Sequence, residues 1–87
     1  MHRMRRRSAA PGEAIVAQGD AGGTMFVLEA GAAEIWADGA RVGAYGPGDV
    51  FGELAIMYGA PRSATVRATA ACVLWALAVA EFRLITE

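Results

Sequence analysis

The stretch FGELAIMYGAPRSATV, residues 51–66, changes its local character twice within a few residues. Gly52 and Gly59 bracket a run of helix formers that is shorter than two turns. Strand character then resumes over 64–68, where the β-branched residues Thr and Val are adjacent. Because so short a helix is not stable alone, the stretch predicts one helical segment set between β-strands.

Glycine-rich turns cut the rest of the chain into short pieces, which suit strands better than helices. The predicted strands span 13–18, 24–30, 33–37, 41–45, 64–68 and 73–77. Asp38-Gly39 predicts a type I′ hairpin turn, because both positions tolerate a positive φ. Residues 79–86 predict a C-terminal helix with one apolar face. The fold class is therefore mainly β, as a small barrel or jelly roll.

Length and composition limit the chain to one small domain. Its 87 residues have a net charge of −1, which argues against a basic nucleic-acid binder. No apolar run approaches the roughly 20 residues of a membrane span, and no secretory signal follows Met1. Since His2 and Cys72 are the only residues of their types, neither a Ser-His-Asp triad nor a protein-only zinc site is expected. The composition thus indicates a binding module without metal or cofactor, and not an enzyme.

Several features of residues 51–66 favour a bound anion. Gly52 lets the backbone approach a ligand closely, because no Cβ intervenes. The predicted helix would present the unpaired N–H groups of Glu53, Leu54 and Ala55 at its N-terminus, where the helix dipole favours phosphate. Arg62 offers a planar fork of donors to the same phosphate.

The Glu53 carboxylate would lie at the same helix end. An ionised carboxylate only accepts hydrogen bonds, so beside an anion it is best used to accept one from a sugar hydroxyl. The small residues Ala55, Ala60 and Ala64 leave room for such a ligand. The stretch therefore predicts an anion site with a hydroxyl-binding carboxylate beside it.

Residues 51–68 resemble the phosphate-binding cassette of cyclic nucleotide-binding domains, and most of all those of the regulatory subunits of cyclic AMP-dependent protein kinase. The resemblance runs from about residue 11 to the end and includes PGE at 11–13, QGD at 18–20, LEAG at 28–31 and LWAL at 74–77. It implies an eight-stranded jelly-roll β-barrel with flanking helices. On this basis 1–87 is expected to be a single cyclic nucleotide-binding domain within a larger protein, with the barrel over about 4–77 and the start of a C-terminal helix over about 79–87.

The resemblance also assigns roles. Glu53 would bind the ribose 2′-hydroxyl, Arg62 the exocyclic phosphate oxygens, and Glu29 would pair with that arginine. Backbone contacts would come from the start of the cassette. The candidate cyclic nucleotide-binding residues are Phe51, Gly52, Glu53, Leu54, Ala55, Arg62, Ser63 and Ala64, with Glu29 in support.

Some of these residues have ordinary alternatives. Glu29 is equally well explained as a solvated acid at a strand end, and Ser63 as a turn hydroxyl bonded to its own backbone. If Ser63 instead contacts the base, it would weaken discrimination against cyclic GMP. Trp36 and Trp75 are predicted to be core residues, not a purine-stacking pair. Cys72 is predicted to be a small buried apolar residue.

The basic run RRRS at 5–8 has two interpretations. Arg5-Arg6-x-Ser8 fits the pattern that basophilic kinases phosphorylate, and it resembles the inhibitory segment of regulatory subunits. However, it lies directly before the PGE at 11–13, where the family has its first barrel strand. A partly exposed first strand is therefore predicted here.

The function predicted from sequence is that of a cytoplasmic module that senses a cyclic nucleotide, cyclic AMP in preference to cyclic GMP. It would regulate a linked or partner effector, a protein kinase before others, with no nucleic acid bound by this domain and no membrane segment. The alternatives are the sensory domain of a Crp-like transcription regulator or of a cyclic nucleotide-gated channel, and a degenerate barrel used only for protein interaction.

Overall fold

A computed structural model describes residues 4–20, 23–52 and 61–78, and its regular structure there consists of strands. The eight strands are β1 (Arg5–Ala9), β2 (Ala14–Val16), β3 (Thr24–Ala30), β4 (Ala33–Ala37), β5 (Ala40–Tyr45), β6 (Val50–Phe51), β7 (Thr65–Ala68) and β8 (Cys72–Ala78). The two predicted helices, in the cassette and after β8, lie outside the described residues. Within those residues no helix is long and apolar enough to cross a membrane.

The strands form two four-stranded antiparallel sheets, in the orders β1-β8-β3-β6 and β2-β7-β4-β5. Neighbours in each sheet are mostly distant in sequence, so the chain passes repeatedly from one sheet to the other, as in a jelly roll. The prediction of a mainly β, eight-stranded barrel is confirmed.

The core lies between the sheets and follows the alternation of each strand. In β8, Cys72 and Leu74 are buried; Leu74 lies opposite the buried Leu28 of β3, and Cys72 lies opposite the buried Ala9 of β1. The buried cluster consists of Ala9, Ile15, Phe26, Leu28, Ala33, Phe51, Val66, Ala68, Cys72 and Leu74. Each fully buried large side chain contributes about 1.5–3 kcal/mol relative to exposure. The prediction that Cys72 is a small buried residue is confirmed.

The hairpin between β4 and β5 turns at the predicted dipeptide. Asp38 and Gly39 both have positive φ, 53° and 80°, as the two central positions of a type I′ turn require. The Gln18 side chain fixes this turn to the end of β2, since it accepts from the Asp38 N–H and donates to the Asp38 carboxylate, each at 2.9 Å.

The strand bounds agree closely with the sequence-based ones, with instructive exceptions. The basic run is strand β1, as predicted, and the strands over 24–30 and 33–37 match residue for residue. β6 was not predicted, because two residues carry no periodicity. The prediction that Trp36 and Trp75 belong to the core is wrong: both are half-buried and neither joins the core cluster. For Trp75 the pleat of β8 explains this, since Leu74 points inward and the next residue therefore points outward.

Candidate functional site

Arg62 is the buried charged side chain of the described residues, with 8% of its surface exposed. Its Nη2 donates to the Thr24 carbonyl at 2.6 Å, and its Nη1 donates to the Gly52 carbonyl at 3.2 Å. Thr24 begins β3 and Gly52 follows β6 directly. The guanidinium is therefore held between two elements that are adjacent in the first sheet.

The backbone of Arg62 is held as firmly as its side chain. Its N–H donates to the Asp20 carbonyl and its carbonyl accepts from the Gly19 N–H, both at 2.8 Å. These two residues form the turn after β2, in the QGD sequence at 18–20. Because both ends of the residue are fixed, the guanidinium keeps one position at little further cost in side-chain entropy.

The electrostatics of this arginine are unusual for a buried charge. Both hydrogen-bond partners are neutral carbonyls, and among the described residues no carboxylate lies within ion-pair distance of it. Burial lowers the pKa of the Arg62 guanidinium, but an arginine remains protonated in a protein. A buried cation with spare N–H donors and only neutral partners is suited to binding an anion.

Gly52 is required by the geometry around the arginine. Its φ is +93°, and a Cβ at this position would lie 2.6 Å from Arg62 Nη1 and 2.7 Å from the Thr24 oxygen. Both distances are shorter than non-bonded contacts allow, and the backbone conformation is one that L-residues with side chains avoid. Gly52 therefore lies against β3 in a space that only glycine fits.

The neighbours of Gly52 and Arg62 have different environments. Phe51 is 2% exposed, and its ring stacks on Tyr45 and Phe26 with centroids 4.8 and 5.4 Å apart. A contact of Phe51 with a ligand would thus involve its backbone, while its ring anchors the start of the cassette. Ser63 is exposed and Ala64 is half-buried, just before β7.

The structure does not pair Glu29 with Arg62. Glu29 is exposed, and its carboxylate accepts a hydrogen bond from the Trp75 indole N–H across the outer surface of the β3–β8 pair. The register explains this placement, because Leu28 and Leu74 face each other inward and the residue that follows each of them is directed outward. In the structure two backbone carbonyls, those of Thr24 and Gly52, hold the guanidinium, which is the role that one of the two interpretations gave to Glu29.

The structure therefore brings Gly52 and Arg62 into contact and places Ser63 and Ala64 beside them, while Glu53, Leu54 and Ala55 lie outside the described residues. Sequence analysis missed three supporting positions, which act through backbone groups: Gly19, Asp20 and Thr24. The QGD sequence was a signal for the first two. Nothing in the side chain of Thr24 indicates that its backbone carbonyl accepts a hydrogen bond from Arg62.

Comparison with known proteins gives one family. The family model for the cyclic nucleotide-binding domain matches residues 6–87. The cAMP-dependent protein kinase regulatory subunit of Yarrowia lipolytica is 54% identical over 72 residues, which cover 83% of this chain and 19% of that protein. The chain thus spans about a fifth of the length of that curated relative.

Solved structures agree with the sequence comparison. The regulatory domain of Toxoplasma gondii PKA with cAMP has a TM-score of 0.87 and 36% identity, over 94% of this chain and 33% of that one. A second, described as Sp-2Cl-cAMPS bound to PKAR CBD2, has a TM-score of 0.89 and 35% identity, over 92% of this chain and 55% of that one.

Proposed function

Because this chain belongs to the cyclic nucleotide-binding domain family, we propose that it senses cyclic AMP and transmits the signal to a protein kinase. The observation that carries the proposal is the buried guanidinium of Arg62, which has only neutral carbonyl partners among the described residues. The similarity to regulatory subunits of cAMP-dependent protein kinase supports the choice of ligand and of partner.

In this proposal Arg62 binds the cyclic phosphate. A cyclic phosphate diester carries one negative charge, and its two exocyclic oxygens match the spacing of guanidinium N–H groups. The carbonyls of Thr24 and Gly52 each take one N–H and leave the others for the ligand. Since the guanidinium is fixed in advance, binding loses little side-chain entropy.

Glu53 completes the proposed site as the acceptor for the ribose 2′-hydroxyl. It follows Gly52 directly in the chain, so it begins next to the phosphate-binding groups. A carboxylate bonded to a hydroxyl is a charge-assisted pair. This role rests on the family resemblance, and the choice of ligand analogues below tests it separately from the phosphate site.

The module is proposed to act by binding, not by catalysis. Its relatives are regulatory subunits, and the partner would be a kinase catalytic subunit that responds to the ligand-bound or ligand-free state. A ligand shifts such an equilibrium only by the difference between its affinities for the two states.

The test is calorimetric titration of the folded chain with cyclic AMP, cyclic GMP, 2′-deoxy cyclic AMP and linear 5′-AMP. We expect cyclic AMP to bind best, cyclic GMP somewhat more weakly, and the 2′-deoxy analogue about tenfold or more below cyclic AMP. Equal binding of the 2′-deoxy analogue would remove Glu53 from the site. No saturable binding of either cyclic nucleotide to a folded chain would refute the proposed function.

A further inference from the structure

Strand β1 carries the sequence Arg5-Arg6-Arg7-Ser8, which the proposed nucleotide site does not use. β1 is the edge strand of the sheet β1-β8-β3-β6, and among the described strands it pairs only with β8. The chain is already extended here, and one side of the strand carries its hydrogen bonds. An edge strand is hydrogen-bonded to the sheet on one side only, so it separates from the sheet more easily than an interior strand.

The three arginines of β1 are not equivalent. Arg7 is half-buried and has three contacts: its Nη1 donates to the Ile15 carbonyl at 3.3 Å, its Nη2 pairs with the Glu13 carboxylate at 3.4 Å, and its guanidinium carbon lies 5.6 Å from the ring centre of Phe26. Arg7 therefore fastens β1 to the rest of the barrel.

Arg5 and Arg6 differ from Arg7 in their exposure and in their side-chain contacts. Both are exposed, and neither has a side-chain hydrogen bond or an ion pair within the described part of the chain. Exposed cations with no partner add little to stability. Their guanidinium groups are free to bind the carboxylates of another protein.

Ser8 follows this pair and is itself exposed. Its neighbour Ala9 is 4% exposed and points into the core, so the hydroxyl of Ser8 lies on the outer surface, opposite Val73 of β8. The sequence offers a natural comparison in Ser63, which is also exposed but follows the buried Arg62 and lacks a pair of free arginines before it.

We propose that Ser8 is a phosphate acceptor for a basophilic serine/threonine protein kinase, which binds Arg5 and Arg6 at the third and second positions before it. In the transfer, the Ser8 oxygen forms a bond to the γ-phosphorus of ATP, and the bond from that phosphorus to the β,γ-bridging oxygen breaks. ADP leaves, and the hydroxyl proton passes to the carboxylate base of the kinase. This modification site is separate from the nucleotide site.

Access requires that β1 separate locally from β8, because a kinase cleft binds its substrate as a single extended strand. Ala9 must leave the core in that opening, which costs little because its side chain is one methyl group. The contacts of Arg7 with Glu13 and Ile15 oppose the opening. The two classes of arginine thus have opposite effects: Arg5 and Arg6 promote phosphorylation, and Arg7 slows it.

The experiment incubates the folded chain with a purified basophilic kinase and ATP, and locates phosphate by mass spectrometry of the intact protein and its fragments. We expect one phosphate, on Ser8, that is absent in Ser8→Ala and unchanged in Ser63→Ala. The double variant Arg5→Ala/Arg6→Ala should lower kcat/KM at least about tenfold, since two charge-assisted contacts are lost. Arg7→Ala should leave kcat/KM unchanged or raise it.

Near-UV circular dichroism of each variant, compared with the parent chain, establishes that the variants remain folded. Absence of phosphate on the folded parent chain would overturn the proposal, as would incorporation that persists in Ser8→Ala. A loss in Arg7→Ala as large as that in Arg5→Ala/Arg6→Ala would show that total charge, and not the exposed pair, determines phosphorylation, and would also overturn it.

Discussion

Arg62 and Arg67 lie five residues apart at the two ends of the β7 region, and each donates to a backbone carbonyl. Arg62 is buried and bonds to the carbonyls of Thr24 and Gly52. Arg67 is exposed and bonds to the Gly12 carbonyl at 2.8 Å. The residue type is the same, so the different roles proposed for the two arginines rest on their surroundings.

The surroundings of Arg67 make it structural. The turn at 10–13 is already joined to β7 by two backbone bonds, Gly12 N–H to the Ala68 carbonyl at 2.7 Å and Ala68 N–H to the Glu13 carbonyl at 2.9 Å. Arg67 adds a third link whose charge is solvated, so it has little attraction for an anion. It also lines an open surface cavity of about 370 Å³ beside Trp36.

The surroundings of Arg62 support the binding role proposed for it. Its charge is largely removed from water, and its fixed N–H groups have no carboxylate among the described residues to neutralise them. The comparison teaches that a carbonyl contact alone does not identify a ligand-binding arginine. Burial without a counter-charge among the described residues is what supports the proposed binding role of Arg62.

The largest expected effect on cyclic nucleotide affinity comes from substituting Gly52, whose carbonyl accepts a hydrogen bond from Arg62. Gly12 stands in the same relation to Arg67. Gly52→Ala places a methyl group 2.6 Å from Arg62 Nη1 and should lower cyclic nucleotide affinity at least about a hundredfold, because the guanidinium must move. Gly12→Ala is the matched control: its φ is +88° and nothing lies within 4 Å of the added Cβ. Both variants should lose about 1–2 kcal/mol of folding stability from the left-handed backbone alone.

Calorimetric titration and thermal unfolding of the two variants measure these effects. The comparison fails if the two glycine variants lose equal affinity, because the close approach at Gly52 would then have no specific role in the site.

The next largest effect on cyclic nucleotide affinity is expected from substituting the arginines themselves. Arg62→Lys keeps the charge but loses the planar fork, and should weaken binding of cyclic AMP by about 1.5–3 kcal/mol, which is about ten- to a hundredfold or slightly more. Arg67→Lys should change the affinity by no more than about twofold, because its surroundings are solvated. Unchanged affinity in a folded Arg62→Lys chain would exclude this arginine from the phosphate site.

The contrast between the two arginines could be foreseen only in part. The cassette pattern singles out Arg62, because Gly52, Glu53, Pro61 and Arg62 stand at the spacing of the family cassette that the stretch resembles. Nothing in the sequence shows that Arg62 bonds to the Thr24 carbonyl, since backbone partners leave no side-chain signal. For Glu29 the sequence left two interpretations open, a partner of this arginine or a solvated acid at a strand end, and in the structure its carboxylate accepts from the Trp75 indole N–H.

The fold could be predicted further than the site. Glycine spacing and the alternation of apolar residues predict most of the strands, and Asp38-Gly39 predicts the hairpin between β4 and β5, because these signals are local. The order of strands in each sheet depends on contacts between residues far apart in the chain, and the sequence did not predict it; the family resemblance implied only an eight-stranded jelly-roll barrel. The outward position of Trp75 depends on which face of β8 meets the core, which is a property of both sheets together.

A smaller effect is expected at Ser63, next to Arg62. Its side chain is exposed, which suits either a turn hydroxyl or a contact with the purine. If it contacts the base, Ser63→Ala should raise the preference for cyclic AMP over cyclic GMP by about two- to tenfold, the value of one hydrogen bond. Competition titrations with the two nucleotides measure this ratio. An unchanged ratio would establish that Ser63 belongs to the turn.

The smallest effect is expected on the Arg67 side, at Glu13 of the 10–13 turn. The Ala10 N–H bonds to this carboxylate, and Arg7 bonds to it from β1, so its pKa in the folded chain is lowered, chiefly by the Ala10 bond. A lowered pKa means that the ionised carboxylate stabilises the fold above its unfolded pKa of about 4.3 and that this contribution is lost as pH falls through the folded value. Glu13→Gln should therefore flatten the decline of stability below about pH 5 in urea unfolding, and Arg7→Ala should flatten it less, because the Ala10 bond remains. Cyclic nucleotide affinity at neutral pH should be unchanged in Glu13→Gln, since this turn supports Arg67 and not Arg62. A loss of affinity in that variant would show that the two arginine regions are coupled.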